Sequence, residues 1–270
     1  MTNDREELNK QGRKQWDLKA KFWDNLHGDD GNRFHQELVS PAVEDLLAVR
    51  PGELILDIAC GSGVLARRLA ALGANVTAAD FSPALIERAK ARKQLRGNPV
   101  DYHIADATDE EALATLGEGR FAAVTCTMAL MDMPVIAPLY RAVVRLLKPG
   151  GRFVFATSHP AFNSNSPIFL AEQEDVDGRL VERRFMKIES YLEIPPALAV
   201  GARDEPTPHY FYHRPLSELL GEAFKAGLVL DALEEPAFSP DNPEVTRSLS
   251  LYGYTQIPPI LAGRMRKASD

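Results

Sequence analysis

Apolar residues near the start of the chain recur at helical spacing, and from residue 54 onward they gather into short runs separated by amphipathic stretches. The opening segment carries Trp16, Ala20, Trp23 and Leu26 at spacings of four, three and three, one face of an amphipathic helix. Such a helix either caps the core or helps to close a site. A loop with Gly28, Asp29, Asp30 and Gly31 follows, then a short helix over residues 34–39. Ser40 and Pro41 read as the N-cap and first-turn proline of a further helix reaching about Val49, which Pro51 and Gly52 end.

Buried-type strands are then expected at residues 54–58, 74–79, 100–104, 121–126 and 152–157, and helices at 64–72, 82–95 and 135–147. Strands joined by helices in this rhythm need crossover connections, which predicts an α/β fold with a mostly parallel sheet and helices on both faces. The rhythm breaks between His159 and about Arg214, where prolines, acids and aromatics follow one another without sustained periodicity. Insertions of that length in compact domains tend to be functional or mobile, and this one is read as covering a substrate. A helix at 217–226, strands at 228–233 and 249–255, and a polar tail from 263 complete the expectation. The domain plan is an N-terminal helical cap (1–50), a core (51–158 and 215–257), the covering insertion (159–214) and a C-terminal tail (258–270).

Composition narrows the function only a little. Of the 270 residues, 45% are hydrophobic and 26% charged, an ordinary globular mixture. The net charge of -7 comes without any long lysine and arginine run, which argues against stable, non-specific nucleic-acid binding. Cys60 and Cys126, the only cysteines, form no Cys-x-x-Cys pattern. No segment has the apolar core of a signal peptide or membrane-spanning length, so the expected place is the cytoplasm.

The chemistry is concentrated in Leu54-Ile55-Leu56-Asp57-Ile58-Ala59-Cys60-Gly61-Ser62-Gly63, a buried strand that runs through a glycine turn into a helix. Glycines there allow positive backbone angles and let a ligand approach the main chain. Gly61-x-Gly63-x-x-Ala66 also satisfies the dinucleotide fingerprint, so an NAD(P)-dependent oxidoreductase is the first alternative. Asp57 speaks against it, because a carboxylate beside the turn repels a pyrophosphate and favours a ligand carrying positive charge. S-adenosylmethionine carries an ammonium and a sulfonium. Asp80, 23 positions after Asp57, ends the next strand where a carboxylate can accept both ribose hydroxyls. Asp106 and Ala107 end the third strand on the same carboxyl edge, where open α/β sheets bind ligands.

In these motifs the sequence resembles the class I S-adenosylmethionine-dependent methyltransferases. Asp57, Ala59, Gly61 and Gly63 match the glycine motif, Asp80 the ribose acid, Asp106 the adenine-site acid, and Leu147-Lys148-Pro149-Gly150-Gly151 the signature after strand four. The resemblance covers about residues 50–160 and implies a Rossmann-like, doubly wound sheet of seven strands, mostly parallel, with an antiparallel last strand. It further implies that Ala59, Cys60, Gly61 and Gly63 line the methionine portion through their backbones. By the same resemblance Asp57 orders the turn and meets the ammonium through water; the plain alternative is that it bonds only turn amides. Phe81 and Ala107 would pack at the nucleoside, and Thr127 and Met128 would bring a backbone carbonyl to the ammonium.

Ala59 stands where the family usually has glycine, which is tolerable provided its backbone angle stays negative. The chain reads Cys126-Thr127-Met128-Ala129-Leu130-Met131 after strand four, without an Asn-Pro-Pro-Tyr tetrapeptide, which leaves a small molecule as the leading acceptor. His159, at the end of strand five, is the candidate general base. His209, Tyr210, Tyr212 and His213 are secondary candidates; His27 and His35 add histidines but no zinc spacing, so no metal is expected. The expected products are a methylated acceptor and S-adenosylhomocysteine. A non-catalytic protein that merely binds the cofactor is the other alternative.

Overall fold

The computed structural model describes residues 2–94, 96–164, 167–241 and 251–268, with side chains from residue 5. The central strand, β1 (Leu54–Ile58), pairs in parallel with β2 (Asn75–Asp80) on one side and β4 (Phe121–Thr127) on the other. Beyond them lie β3 (Asp101–Ile104) against β2 and β5 (Leu147–Ser158) against β4, again parallel. The sheet closes with β10 (Leu228–Glu234) and β11 (Ile260–Lys267), β11 running antiparallel between β5 and β10. The order is β10-β11-β5-β4-β1-β2-β3, the expected doubly wound arrangement with an antiparallel last strand.

Alternation along each strand divides the core between the two faces. Leu56, Ile58, Val124, Phe153 and Phe155 join the cluster under α6 (Ala137–Leu146) and α7 (Leu216–Lys225). Ile55, Val76, Ala123, Val154 and Ala156 join the opposite cluster with α2 (Ser40–Leu47) and α3 (Val64–Ala71). Both faces are covered, which is why these strands read as continuous apolar runs. The order of connection reverses between β1 and β4, opening a crevice at their carboxyl ends.

The first helix, α1 (Thr2–His27), lies along α4 (Pro83–Ala91). Asp24 of α1 pairs with Arg88 at 3.2 Å and Arg92 at 2.7 Å, and Asp17 accepts the Ser82 hydroxyl at 2.5 Å. Ala20 is buried, as its place on the apolar face demands, while Leu26 stays 40% exposed.

Four expectations change. Ser40 is not an N-cap: its backbone is helical, and α2 continues without a break from a π-turn at His35–Val39. Pro41 has no N–H to give back to the carbonyl four residues earlier, and the widened turn lies directly before it. The final strand is not at 249–255, where residues 249 and 250 lie outside the described residues and Leu251–Gly253 forms one 3₁₀ turn. It is β11, inside the segment read as a tail, so the core extends past residue 258 to Lys267. Arg264 and Arg266 made that segment look polar; both pair outward with Asp231, at 2.8 and 2.5 Å, while Ile260, Leu261 and Met265 point into the core.

The insertion also has more order than its periodicity promised. It holds an antiparallel ribbon of β6 (Ile168–Val176) and β7 (Arg179–Lys187), and a shorter pair, β8 (Ala197–Ala199) with β9 (His209–Phe211). Asp177 and Gly178 join the ribbon with φ of 52° and 76°, the two positive angles of a type I′ turn. Of the described residues, no helix is long and apolar enough to cross a membrane.

Candidate active site

A cavity of about 680 Å³ opens at the carboxyl ends of β1, β2, β3 and β4, roofed by α1 and the insertion. Its floor is the turn after β1. Ala59, Gly61 and Gly63 all take positive φ there, at 56°, 56° and 78°. The expectation of a negative angle at Ala59 is therefore wrong: an alanine occupies a left-handed position whose ordinary tenant is glycine, at a cost of roughly 1 kcal/mol. At Gly61 a Cβ would meet nothing within 4 Å, so the backbone faces open cavity. Gly63 serves packing instead, because a Cβ would come within 2.4 Å of the Tyr102 hydroxyl.

Asp80 fastens this turn to β2. Its Oδ2 accepts the Gly61 amide and its Oδ1 the Ser82 amide, each at 2.9 Å. Burial raises its pKa to about 6 despite those two amides. Asp57 lies beneath the turn, where Oδ1 accepts the Thr125 hydroxyl at 2.8 Å and Oδ2 is buried without a hydrogen bond from any described residue. Burial, with Asp80 adding to it, pushes the Asp57 pKa up to about 7. At the far wall Asp106 accepts Asn9 Nδ2 of α1 at 2.6 Å and the Thr108 amide and hydroxyl at 2.8 and 2.7 Å.

Of the residues expected to hold a cofactor, Ala59, Cys60, Gly61, Asp80, Phe81, Asp106, Ala107, Thr127 and Met128 lie on the cavity wall. Asp57 and Gly63 do not; both act from behind the turn. Met128 turns off β4 with φ of 52° while its amide donates to the Ala156 carbonyl at 2.7 Å.

His159, the expected base, is also off the wall. Its Nδ1 accepts the Ala161 amide at 3.1 Å, which leaves the proton on Nε2 to be donated to Glu235 at 2.9 Å. Buried, stacked on Phe162 and with both nitrogens engaged, it secures the end of β5 and has no free lone pair to offer an acceptor. His213 does line the cavity, but its Nε2 donates to the Tyr191 carbonyl at 2.5 Å. His27 and His35 pack ring to ring at 4.5 Å, and burial takes their pKa values down to about 4 and about 3.

Of the polar cluster where α1, the turn after β4 and the insertion meet, sequence reasoning named only His209, as a secondary candidate, and missed Lys19, Asp132 and Glu205. Lys19 is fully buried, with Nζ 2.7 Å from Glu205 Oε1 and 3.9 Å above the Trp16 ring. Trp23 Nε1 donates to the same Glu205 oxygen at 2.9 Å, and the Gly201 amide to the other at 2.5 Å. His209 stands between Glu205 and Asp132. A lysine within the apolar stripe of α1, between Trp16 and Trp23, was the one available signal.

The doubly wound sheet, the glycine turn fastened by an acid on the neighbouring strand and the crevice at the switch point form the arrangement at which open α/β folds bind nucleotide-like ligands. Residues 56–155 match the methyltransferase domain family. Over 143 residues the chain is 36% identical to the ubiquinone biosynthesis O-methyltransferase of Xanthomonas campestris pv. campestris, covering 52% of this chain and 57% of that protein. The chain thus spans little more than half the length of the curated relatives it matches. An S-adenosylmethionine-dependent methyltransferase from Mesorhizobium loti superposes with a TM-score of 0.62 at 26% identity, covering 84% of this chain and 96% of that one. The CcbJ methyltransferase from Streptomyces caelestis shares the fold at a TM-score of 0.57 and 21% identity, over 94% and 98% of the two chains. Residues 56–155 thus match a methyltransferase domain, and the chain as a whole is similar in fold to S-adenosylmethionine-dependent methyltransferases.

Proposed function

We propose that this protein is an enzyme that transfers the methyl group of S-adenosylmethionine to a small-molecule acceptor. The observation that carries this reading is the turn after β1: open backbone at Gly61, tied to Asp80, above the buried carboxylate of Asp57. Asp80, on the wall and held partly protonated by burial, suits a ligand whose ribose hydroxyls would restore its charge, and Asp57, behind the turn, adds a field that favours an ammonium. A pyrophosphate would meet the opposite field.

Asp80 would hold the ribose, Asp106 and Ala107 the adenine, and the backbone of Ala59, Cys60 and Gly61 the amino-acid end. When bound, the cofactor supplies a methyl group on sulfonium, already an excellent leaving group. The chain's contribution is then to orient the acceptor and exclude water beneath α1 and the insertion. Oxygen is the favoured accepting atom, because the relatives at 36% identity are O-methyltransferases. The two free thiols, Cys60 and Cys126, suit the reducing cytoplasm as its place.

Calorimetric titration with S-adenosylhomocysteine tests the reading, with NADH in parallel and Asp80→Ala as the variant. Saturable binding of the first alone, weakened at least tenfold by the substitution, is expected. Binding of NADH alone would replace the reading with an oxidoreductase.

A further inference from the structure

The cavity has a polar centre that none of the cofactor motifs uses. His209, on β9, has Nε2 at 3.4 Å from Asp132 Oδ1 and Nδ1 at 3.5 Å from Glu205 Oε1. Both separations exceed an ordinary N–H···O hydrogen bond. Asp132 Oδ1 and His209 Nδ1 are buried, and neither closes a hydrogen bond with a described residue. Glu205 is already engaged by Lys19, Trp23 and the Gly201 amide, whereas Asp132 and His209 both reach the cavity wall. Flat apolar surface surrounds the pair: the Trp16 ring lies 5.1 Å from that of His209 and the Phe211 ring 4.3 Å, with Trp23 and Tyr212 on the same wall.

We propose that His209 is the catalytic base of the acceptor site, that Asp132 and Glu205 position it, and that the acceptor is a planar ring bearing a hydroxyl group. This rests on the methyltransferase reading and adds to it the acceptor class and the proton's destination. Aromatic walls on several sides favour a planar guest, and the unclosed pair at their centre favours a guest with a hydroxyl to donate. The acceptor oxygen forms its bond to the methyl carbon as the carbon–sulfur bond breaks, and that electron pair stays on sulfur. The hydroxyl proton passes to Nε2 of His209, so the positive charge lost from sulfonium reappears on imidazolium. Asp132 and Glu205 stabilise that imidazolium.

The charged groups facing His209 are Asp132 from the turn after β4, Glu205 from the insertion and Lys19 from α1. Burial and Lys19 oppose protonation, yet the two carboxylates outweigh them and hold the pKa above the ordinary histidine value. Proton acceptance is thereby favoured, and the base is lost when pH falls below that raised value. The same position explains why a second histidine in the chain, His159, is not needed for the task.

The test uses protein saturated with S-adenosylhomocysteine, with catechol as the hydroxylated probe and 1,2-dimethoxybenzene as the probe without a donor. Imidazole resonances from ¹³C-labelled histidine report the titration of His209. Catechol is expected to bind and shift the His209 resonances, and dimethoxybenzene to bind at least tenfold more weakly. His209→Gln should lose at least tenfold in catechol affinity while keeping S-adenosylhomocysteine affinity within twofold. Asp132→Asn should lower the His209 titration midpoint and weaken catechol binding at least tenfold with it, a joint change that mere proximity of the two side chains would not produce, and it decides the matter if His209→Gln does not fold. Absence of catechol binding, equal binding by His209→Gln, equal binding of dimethoxybenzene or an unmoved midpoint would each overturn the proposal. Failure of the wild type to bind S-adenosylhomocysteine would instead bring down the methyltransferase reading beneath it.

Discussion

At Ala59 a residue with a side chain holds a left-handed angle of 56° in the turn after β1. Alanine endures this with a single methyl group, whereas a β-branched side chain there is a true outlier. Ala59→Gly is therefore expected to leave stability within about 0.5 kcal/mol, because relief of the angle offsets the greater freedom of glycine in the unfolded chain. Ala59→Val should lose about 2 kcal/mol. Urea denaturation of the three proteins checks both, and a valine variant as stable as the parent would remove the strain argument. The turn after β1 was legible because a turn of fixed chemistry needs particular residues at fixed offsets. The histidines were not: nothing in the sequence distinguishes His159, whose two nitrogens are occupied by Glu235 and the Ala161 amide, from His209, whose partners stand off at 3.4 and 3.5 Å. That difference lies wholly in what the fold brings beside each ring.

Among the elements, α1 acts as a strap over the cavity, fastened at Asn9 to Asp106, at Asp17 to Ser82, at Asp24 to Arg88 and Arg92, and at Lys19 and Trp23 to Glu205. The Lys19–Glu205 pair is fully buried, so removing one member leaves the other charge without compensation. Glu205→Ala is expected to cost about 3 kcal/mol, limited by the ease with which the buried lysine sheds its proton. Joint replacement by Lys19→Met and Glu205→Gln should recover most of the loss, and a double-mutant cycle by thermal or urea unfolding measures the coupling. Additive single losses would mean that the pair does not join the strap to the insertion. The parallel core was readable from its alternation of apolar runs and helices. The ribbon of β6 and β7 was less so, since its charged faces hide the period of two, although Asp177-Gly178 is a strong hairpin signal. The last strand was hidden for a similar reason, by arginines that answer Asp231 across two strands.

Across the whole molecule, two sets of buried groups pull stability in opposite directions with pH. His27 and His35 are kept neutral by burial, so they withdraw stability as pH falls below the ordinary histidine value toward about 4 and about 3. Asp57 and Asp80 keep their protons in the folded state up to about 7 and about 6, so they withdraw stability as pH rises from the ordinary carboxylate value of 3.8 through those points. In the unliganded protein the two effects overlap across the same acid range and partly cancel, but ligand binding separates them. The two histidines are neutral in the folded protein from pH 5.5 to 8, whereas ribose hydroxyls at Asp80 and an ammonium across the turn from Asp57 would favour the ionised forms of those acids. At pH 8 both carboxylates are already ionised and ready to bind; at pH 5.5 the ligand must first displace their protons. The rise in melting temperature caused by saturating S-adenosylhomocysteine should consequently be larger at pH 8 than at pH 5.5. Calorimetry near pH 6.5 should also show protons released on binding, seen as an enthalpy that differs between phosphate and Tris buffers. An equal or smaller rise at pH 8, with no buffer dependence, would mean that neither Asp80 on the wall nor Asp57 behind the turn responds to the ligand, and the proposed place of the cofactor would have to be assigned again.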